Sequence, residues 1–149
     1  MQPGRNNYSI GYSLSNELLL TEQDIIEQAR NCGDENFIHN NKTSASNTRF
    51  KGLIASGSAM SAQFSAMLPT HFSKNHDVLG LEMSFQFKAP IFPNSQYHMI
   101  WLIEDISGDM DKSGEVISLS GKIVDEAEVT QVLAKAKILL LRDFNRTAI

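Results

Sequence analysis

The sequence predicts an α+β fold in which an antiparallel sheet wraps one central helix. Three observations predict it. Ser58 to Leu68 is a run of eleven residues without a charge, almost entirely small or apolar, and a helix with no charged face belongs inside a domain. From Leu81 onward the period changes to two, with Leu81, Met83, Phe85 and Phe87 alternating against Glu82, Ser84, Gln86 and Lys88, as in strands with one buried face. Turn-forming residues separate further runs of the same kind, so the strands return antiparallel and must fold over the helix to cover it.

Taken in order, residues 1–7 are polar and contain Pro3 and Gly4, which predicts a loose tail. Tyr8 to Leu20 alternates at Tyr8, Ile10, Tyr12 and Leu14 and reads as a strand or extended arm. Thr21 is placed to cap a helix, with Asp24 three residues on as its capping-box acid. Ile25, Ile26, Ala29 and Cys32 follow at helical spacing, a stripe expected to face the core, and Gly33 ends the helix as a residue tolerant of the left-handed conformation. A short helical turn is expected near Thr43 to Ser46. Phe50 to Ala55 is an apolar approach to Ser56 and Gly57, where the charge-free helix begins; Pro69 is expected to stop it, leaving His71 to His76 as a polar loop. Tyr97, Met99, Trp101 and Ile103 share one face of the next strand, Ser107 to Gly114 is turn chemistry, and Ile117, Leu119, Gly121 and Ile123 face one way in the strand after it. Val132 to Leu141, with Lys135 and Lys137 interleaved, reads as a half-exposed strand. One helix held in one curved sheet is the hot-dog arrangement. A single sheet leaves part of so apolar a helix uncovered, so a second copy is expected to close it as a homodimer.

Composition bounds the function. At 149 residues the chain is expected to be one domain, 1–149, with its own core. Thirteen basic against seventeen acidic residues give a net charge of −4, and no Lys/Arg cluster offers a nucleic-acid surface. The longest apolar run, Ile138 to Leu141, is far short of a membrane span. The first residues lack the apolar core of a signal peptide, and a single cysteine, Cys32, cannot form an internal disulfide, so the expected compartment is a reducing cytoplasm. His71, His76 and His98 have no partnering spacing, so neither a metal nor another cofactor is expected.

The chemistry concentrates in Gly33-Asp34-Glu35-Asn36-Phe37-Ile38-His39, which puts a carboxylate, a carboxamide and an imidazole within seven positions of a loop, followed by Gly57 at the open end of the helix. An acid–base pair beside a helix N-terminus is the outline of an active site. Asp34 to His39 followed by Phe50-x-Gly52-x-Ile54-Ala55-x-Gly57, and further on Phe85-x-Phe87-Lys88-x-Pro90-Ile91, resembles the MaoC-like hydratases, including (R)-specific enoyl-CoA hydratases, over roughly residues 20–142. The family pattern is Gly-Asp-x-Asn-Pro-x-His, then Ile-Ala-His-Gly. This sequence has Phe37 for the proline, Ser56 for the histidine before the glycine, and Asn41 for the acid two residues after His39.

The resemblance implies a hot-dog fold and a hydro-lyase acting on enoyl or 3-hydroxyacyl thioesters of coenzyme A or an acyl carrier protein. It implies Asp34 and His39 as the catalytic pair, Gly57 as the residue whose N–H polarises the thioester carbonyl, Asn36 as a loop-shaping residue and Ser65 as a helix serine near the site. Ser56 is also placed to cap the helix. Two other functions are open to such a fold. A hot-dog thioesterase needs an acid on or near the central helix, and Ser58 to Leu68 has none. A non-catalytic acyl-thioester-binding subunit would accommodate the departures at Phe37, Ser56 and Asn41.

Overall fold

The computed structural model describes residues 8–143, so the tail expected over residues 1–7 lies outside the described residues. Five strands form one antiparallel sheet: β1 (Ser13–Leu19), β2 (Asp77–Phe87), β3 (Gln96–Asp109), β4 (Gly114–Asp125) and β5 (Thr130–Leu141), in the order β1-β3-β4-β5-β2. Ahead of β2 come α1 (Glu22–Cys32), a 3₁₀ turn (Phe37–His39), α2 (Lys42–Ser46) and the long α3 (Gly57–Phe72). This is the α+β hot-dog arrangement, with α3 as the central helix.

The sheet faces α3 with the positions that alternate in sequence. Met99, Trp101 and Ile103 of β3, Ile117, Leu119 and Ile123 of β4, and Val132, Ala134, Ala136 and Ile138 of β5 are all buried. From α3, Met60, Phe64, Met67, Leu68 and Phe72 fill the space between. At the centre the ring of Phe64 stacks on Trp101 at 4.4 Å, and the indole Nε1–H donates to the Phe64 carbonyl at 3.0 Å. Gly121 of β4 makes this approach possible, because a Cβ there would lie 2.6 Å from Trp101 and 2.8 Å from Phe64. The close approach of helix and sheet thus depends on a glycine of the sheet as well as on the small residues of the helix.

The start of α1 follows the sequence signals. Thr21 Oγ1 accepts from the Asp24 N–H at 3.0 Å while Asp24 Oδ2 accepts from the Thr21 N–H at 2.9 Å, and Gly33 closes the helix with φ +82°. Ile25 and Ala29 are buried, but Cys32 is exposed, contrary to its expected core-facing position. Cys32 instead lines an open groove between α1 and α3, shared with Ala59, Ala62 and Gln63, and the two helices are tied by a Gln28–Gln63 side-chain hydrogen bond.

Three further expectations are corrected. The first strand begins at Ser13 rather than Tyr8, because Tyr8 and Tyr12 instead pack with each other and with His71 and Phe72 beyond the sheet edge. Pro69 does not end α3, which runs on to Phe72. Burial of Phe72 at 0 % exposure holds the last turn, and the Ser73 N–H closes it on the Pro69 carbonyl at 2.9 Å. The cost of an interior proline, about 3 kcal/mol, is comparable to burying one large aromatic ring well. His71 therefore lies on the helix, with its Nε2 2.8 Å from the Tyr12 hydroxyl.

In β2 the alternation holds but the cover does not. Met83, Phe85 and Phe87 sit opposite buried Ala136, Ala134 and Val132, so they share the helix-facing side, after a bulge between Gly80 and Glu82. As the edge strand, β2 nevertheless leaves Met83, Phe87, Leu79 and Leu81 exposed. Among the described residues no helix is long and apolar enough to cross a membrane.

Gly121→Ala is expected to destabilise the fold by about 1–3 kcal/mol, since the methyl must push apart a stacked, fully buried pair. Urea unfolding followed by Trp101 fluorescence measures it; an unchanged midpoint would contradict this packing account.

Candidate active site

The turn after α1 carries the acid and the base. Asp34 follows the left-handed Gly33, and its N–H bonds back to the Ala29 carbonyl at 2.9 Å. Asp34 Oδ1 then accepts from the Asn36 N–H at 3.1 Å, and Asn36 caps the 3₁₀ turn that presents His39. Phe37, in the place of the family's proline, is half exposed and opens this turn without obstructing it. Asn41, in the place of the family's acid, caps α2, its side chain accepting from the Ser44 N–H at 3.0 Å.

The apolar approach at residues 53–55 runs beside that turn. The Ile54 N–H bonds to the Ile38 carbonyl at 3.2 Å and the Ala55 N–H to the Ile91 carbonyl at 2.9 Å. The Ile54 carbonyl in turn lies 2.7 Å from His39 Nδ1. A carbonyl can only accept, so Nδ1 carries a proton in either charge state of the ring, and Nε2 is the atom that gains and loses one. His39 Nε2 lies 3.4 Å from Asp34 Oδ2.

Ser56 joins the two halves of the site. Its Oγ accepts from the Ala59 N–H at 3.2 Å, capping α3, and donates its one proton to Asp34 Oδ2 at 2.6 Å. The residue is 1 % exposed. The Ser56 hydroxyl, the Asn36 N–H and the nearby His39 hold the Asp34 carboxyl below the ordinary 3.8, against an opposing effect of burial. Asp34 is an acceptor-only anion at neutral pH, and these bonds extend its ionised range to lower pH.

Gly57 is the first residue of the sixteen-residue α3, and among the described residues its N–H meets no acceptor. A free N–H at the positive end of a helix suits a developing negative charge. His39 and Gly57 both line a cavity of about 350 Å³, walled by Ile54, Met60, Phe87 and Ile91 among others. Asp34, Asn36 and Ser56 do not line it, and Asp34 approaches it through His39 Nε2. Of the residues named from the sequence, the structure therefore brings together Asp34, Asn36, His39, Ser56 and Gly57. It does not bring Ser65 to them: two turns along α3, Ser65 Oγ donates to the Ala62 carbonyl at 3.2 Å. Among the described residues no group of three or more His, Cys, Asp and Glu is placed to hold a metal ion.

A family model described as MaoC like domain matches residues 7–125. The chain belongs to the MaoC-like family. No curated protein sequence matches it. Among solved structures, this MaoC-like chain is similar to the (R)-hydratase from A. caviae involved in PHA biosynthesis, at 19 % identity and a TM-score of 0.79 over 91 % of this chain and 99 % of that one. It is similar to R-hydratase PhaJ1 from Pseudomonas aeruginosa, at 18 % identity and 0.78 over 91 % and 84 %. It is also similar to the HadBC (3R-hydroxyacyl-ACP dehydratase) complex from Mycobacterium tuberculosis, at 10 % and 0.71 over 87 % and 96 %. At these identities the likeness is one of fold.

The MaoC-like site also contains groups that the sequence did not single out for the site. The carbonyl of Ile54 fixes the imidazole, and a backbone group leaves no mark on sequence. Arg49, Phe87 and Lys88 line the cavity from the segment after α2 and from the end of β2. For Arg49 the only signal is its place beside Phe50, whereas Phe87 and Lys88 stand within the Phe85-x-Phe87-Lys88-x-Pro90-Ile91 stretch of the resemblance, which gives neither a site role.

Because the folded-state pKa of Asp34 is lowered, its contribution to stability is present above about 3.8 and is lost as pH falls through the folded value. Ser56→Ala should raise the Asp34 pKa, read by carboxyl carbon NMR, and flatten the loss of stability below pH 4. Loss of the cap should lower stability at pH 7 by about 1 kcal/mol as well. An Asp34 titration unmoved by the substitution would refute the hydrogen bond's assigned effect.

Proposed function

We propose that this MaoC-like domain is a hydro-lyase that adds water to, or removes it from, the 2,3 position of an enoyl or 3-hydroxyacyl thioester. What carries the reading is the imidazole of His39. Its Nδ1 is held protonated by a backbone carbonyl, its Nε2 faces an ionised carboxylate, and the ring shares a cavity with the free N–H of Gly57.

In the hydration direction a water oxygen attacks the β-carbon while His39 Nε2 takes a proton from it. The electron pair of the double bond moves toward the α-carbon and the thioester oxygen, where the Gly57 N–H and the helix dipole stabilise the enolate. The α-carbon then takes the proton from the imidazolium, and a 3-hydroxyacyl thioester leaves. Asp34, an anion hydrogen-bonded by Ser56 and facing Nε2, stabilises the imidazolium that forms. His39 lines the cavity whereas Asp34 does not, which favours His39 as the proton shuttle, and the lowered pKa of Asp34 agrees with that division. Run backward, the same steps dehydrate. A thioesterase is disfavoured because α3 contains no acidic residue.

Two copies are proposed to associate through β2, which presents Leu79, Leu81, Met83 and Phe87 on an unpaired sheet edge. The exposed lone thiol of Cys32 suits a reducing cytoplasm.

His39→Gln and Asp34→Asn should each lower crotonyl-CoA hydration by about 10²–10⁴-fold with the fold retained; variants as active as the wild type would refute the assignment. Gly57→Pro is a selective test of the oxyanion donor. Ser56 already has the extended φ −65°, ψ 128° that a following proline requires, and the first helical position accepts proline. The exposed Phe87 ring can yield to the added atoms. The loss expected is roughly 10²–10³-fold in kcat with an unchanged circular dichroism spectrum. Sedimentation should give twice the mass of one chain, falling to one on Leu81→Lys/Met83→Lys if β2 is the contact.

A further inference from the structure

The mouth of the His39 cavity reverses the charge of the molecule. The chain as a whole is at −4, yet the cavity lining includes two cations, Arg49 and Lys88, and no Asp or Glu. Both are exposed, whereas His39, Met60, Ile91 and Val132 deeper in the lining are buried, so the cations stand at the entrance and the apolar wall lies within. Neither forms an ion pair among the described residues, although Lys42, Lys137 and Arg142 do.

Their supports are fixed. The Arg49 guanidinium lies 4.8 Å from the centroid of the Phe50 ring, which orients it without neutralising it. The N–H groups of Lys88 and Ala89 bond to the Gln131 carbonyl at 2.8 and 3.1 Å, which anchors the backbone from which the Lys88 side chain extends. Two unneutralised cations from separate segments, at the open end of an apolar cavity with a proton-transfer group inside, suit a substrate with an anionic end and an apolar end. Phosphate is an anion that suits both side chains, Arg through its fork and Lys as a point charge.

Resting on the hydro-lyase reading above, we propose that Arg49 and Lys88 anchor the phosphate of a pantetheine-type carrier, so that the acyl thioester reaches His39 and Gly57 from the cavity mouth. Coenzyme A and the prosthetic arm of a carrier protein share this chemistry. Phe87, between Lys88 and Gly57 in the lining, then walls the thioester end of the channel.

The test compares Arg49→Gln, Lys88→Gln and the double variant on crotonyl-CoA, crotonyl-4′-phosphopantetheine, a crotonyl carrier protein and the uncharged crotonyl-pantetheine. The ratio of KM for crotonyl-CoA to KM for crotonyl-pantetheine should rise roughly fivefold for each cation removed, with the effect in KM rather than kcat. The wild-type KM should rise with salt for the phosphorylated substrates only. A penalty on all three phosphorylated substrates identifies the phosphate of the arm. A penalty confined to crotonyl-CoA assigns the anchor to its nucleotide phosphates and coenzyme A as the carrier. Equal penalties with and without phosphate, or none, overturn the proposal. Should the wild type hydrate none of these, the hydro-lyase reading falls by itself. Calorimetric titration with coenzyme A then decides the anchor, with weaker binding by the variants supporting it and absence of wild-type binding overturning it.

Discussion

The seat of α3 against the sheet is the constraint from which the rest follows. Phe64 and Trp101 are both fully buried, stack at 4.4 Å and share a hydrogen bond from indole to helix carbonyl. An aromatic pair of this kind is worth about 0.5–1.5 kcal/mol beyond its buried area, and the area itself several times that. The contact also fixes the rotation and depth of α3 relative to β3 and β4, because the absence of a side chain at Gly121 leaves room for only one close approach. The helix N-terminus is therefore delivered to one place, and the site is built around that point.

At the N-terminus, Ser56 couples helix, loop and charge. One hydroxyl oxygen accepts from the helix and donates to Asp34, so the start of α3 and the turn after α1 are held in register by a single side chain. The family pattern has histidine at this position. A serine is short enough to remain buried as a cap while reaching the carboxylate, and its bond to Oδ2 favours the ionised form. The serine thus ties the Asp34 carboxylate to the start of α3 and lowers its pKa.

Much of this was legible in local sequence. The Thr21–Asp24 capping box, the Gly33 stop and the alternation of β3, β4 and β5 are set by backbone hydrogen-bonding needs and side-chain period, which act over a few residues and leave direct marks. So does the spacing of Asp34 and His39 within one turn. What misled was context at a distance. Pro69 reads as a stop, but Phe72 is worth burying; Leu81 and Met83 alternate like core residues, but β2 is the sheet edge and leaves them exposed. Cys32 keeps helical spacing with Ile25 and Ala29, yet it faces an open groove between α1 and α3 rather than the core.

The sequence by itself determined the element types, the helix-facing positions of the sheet and the acid–base loop, because each rests on interactions between near neighbours in the chain. Only the tertiary structure decided that Ser56 reaches Asp34, that the Ile54 carbonyl sets the tautomer of His39, and that Arg49 and Lys88 meet at one cavity mouth while Ser65 stays outside it. These groups come from segments 15 to 39 residues apart, brought together by the tertiary fold rather than by any preference of the residues themselves.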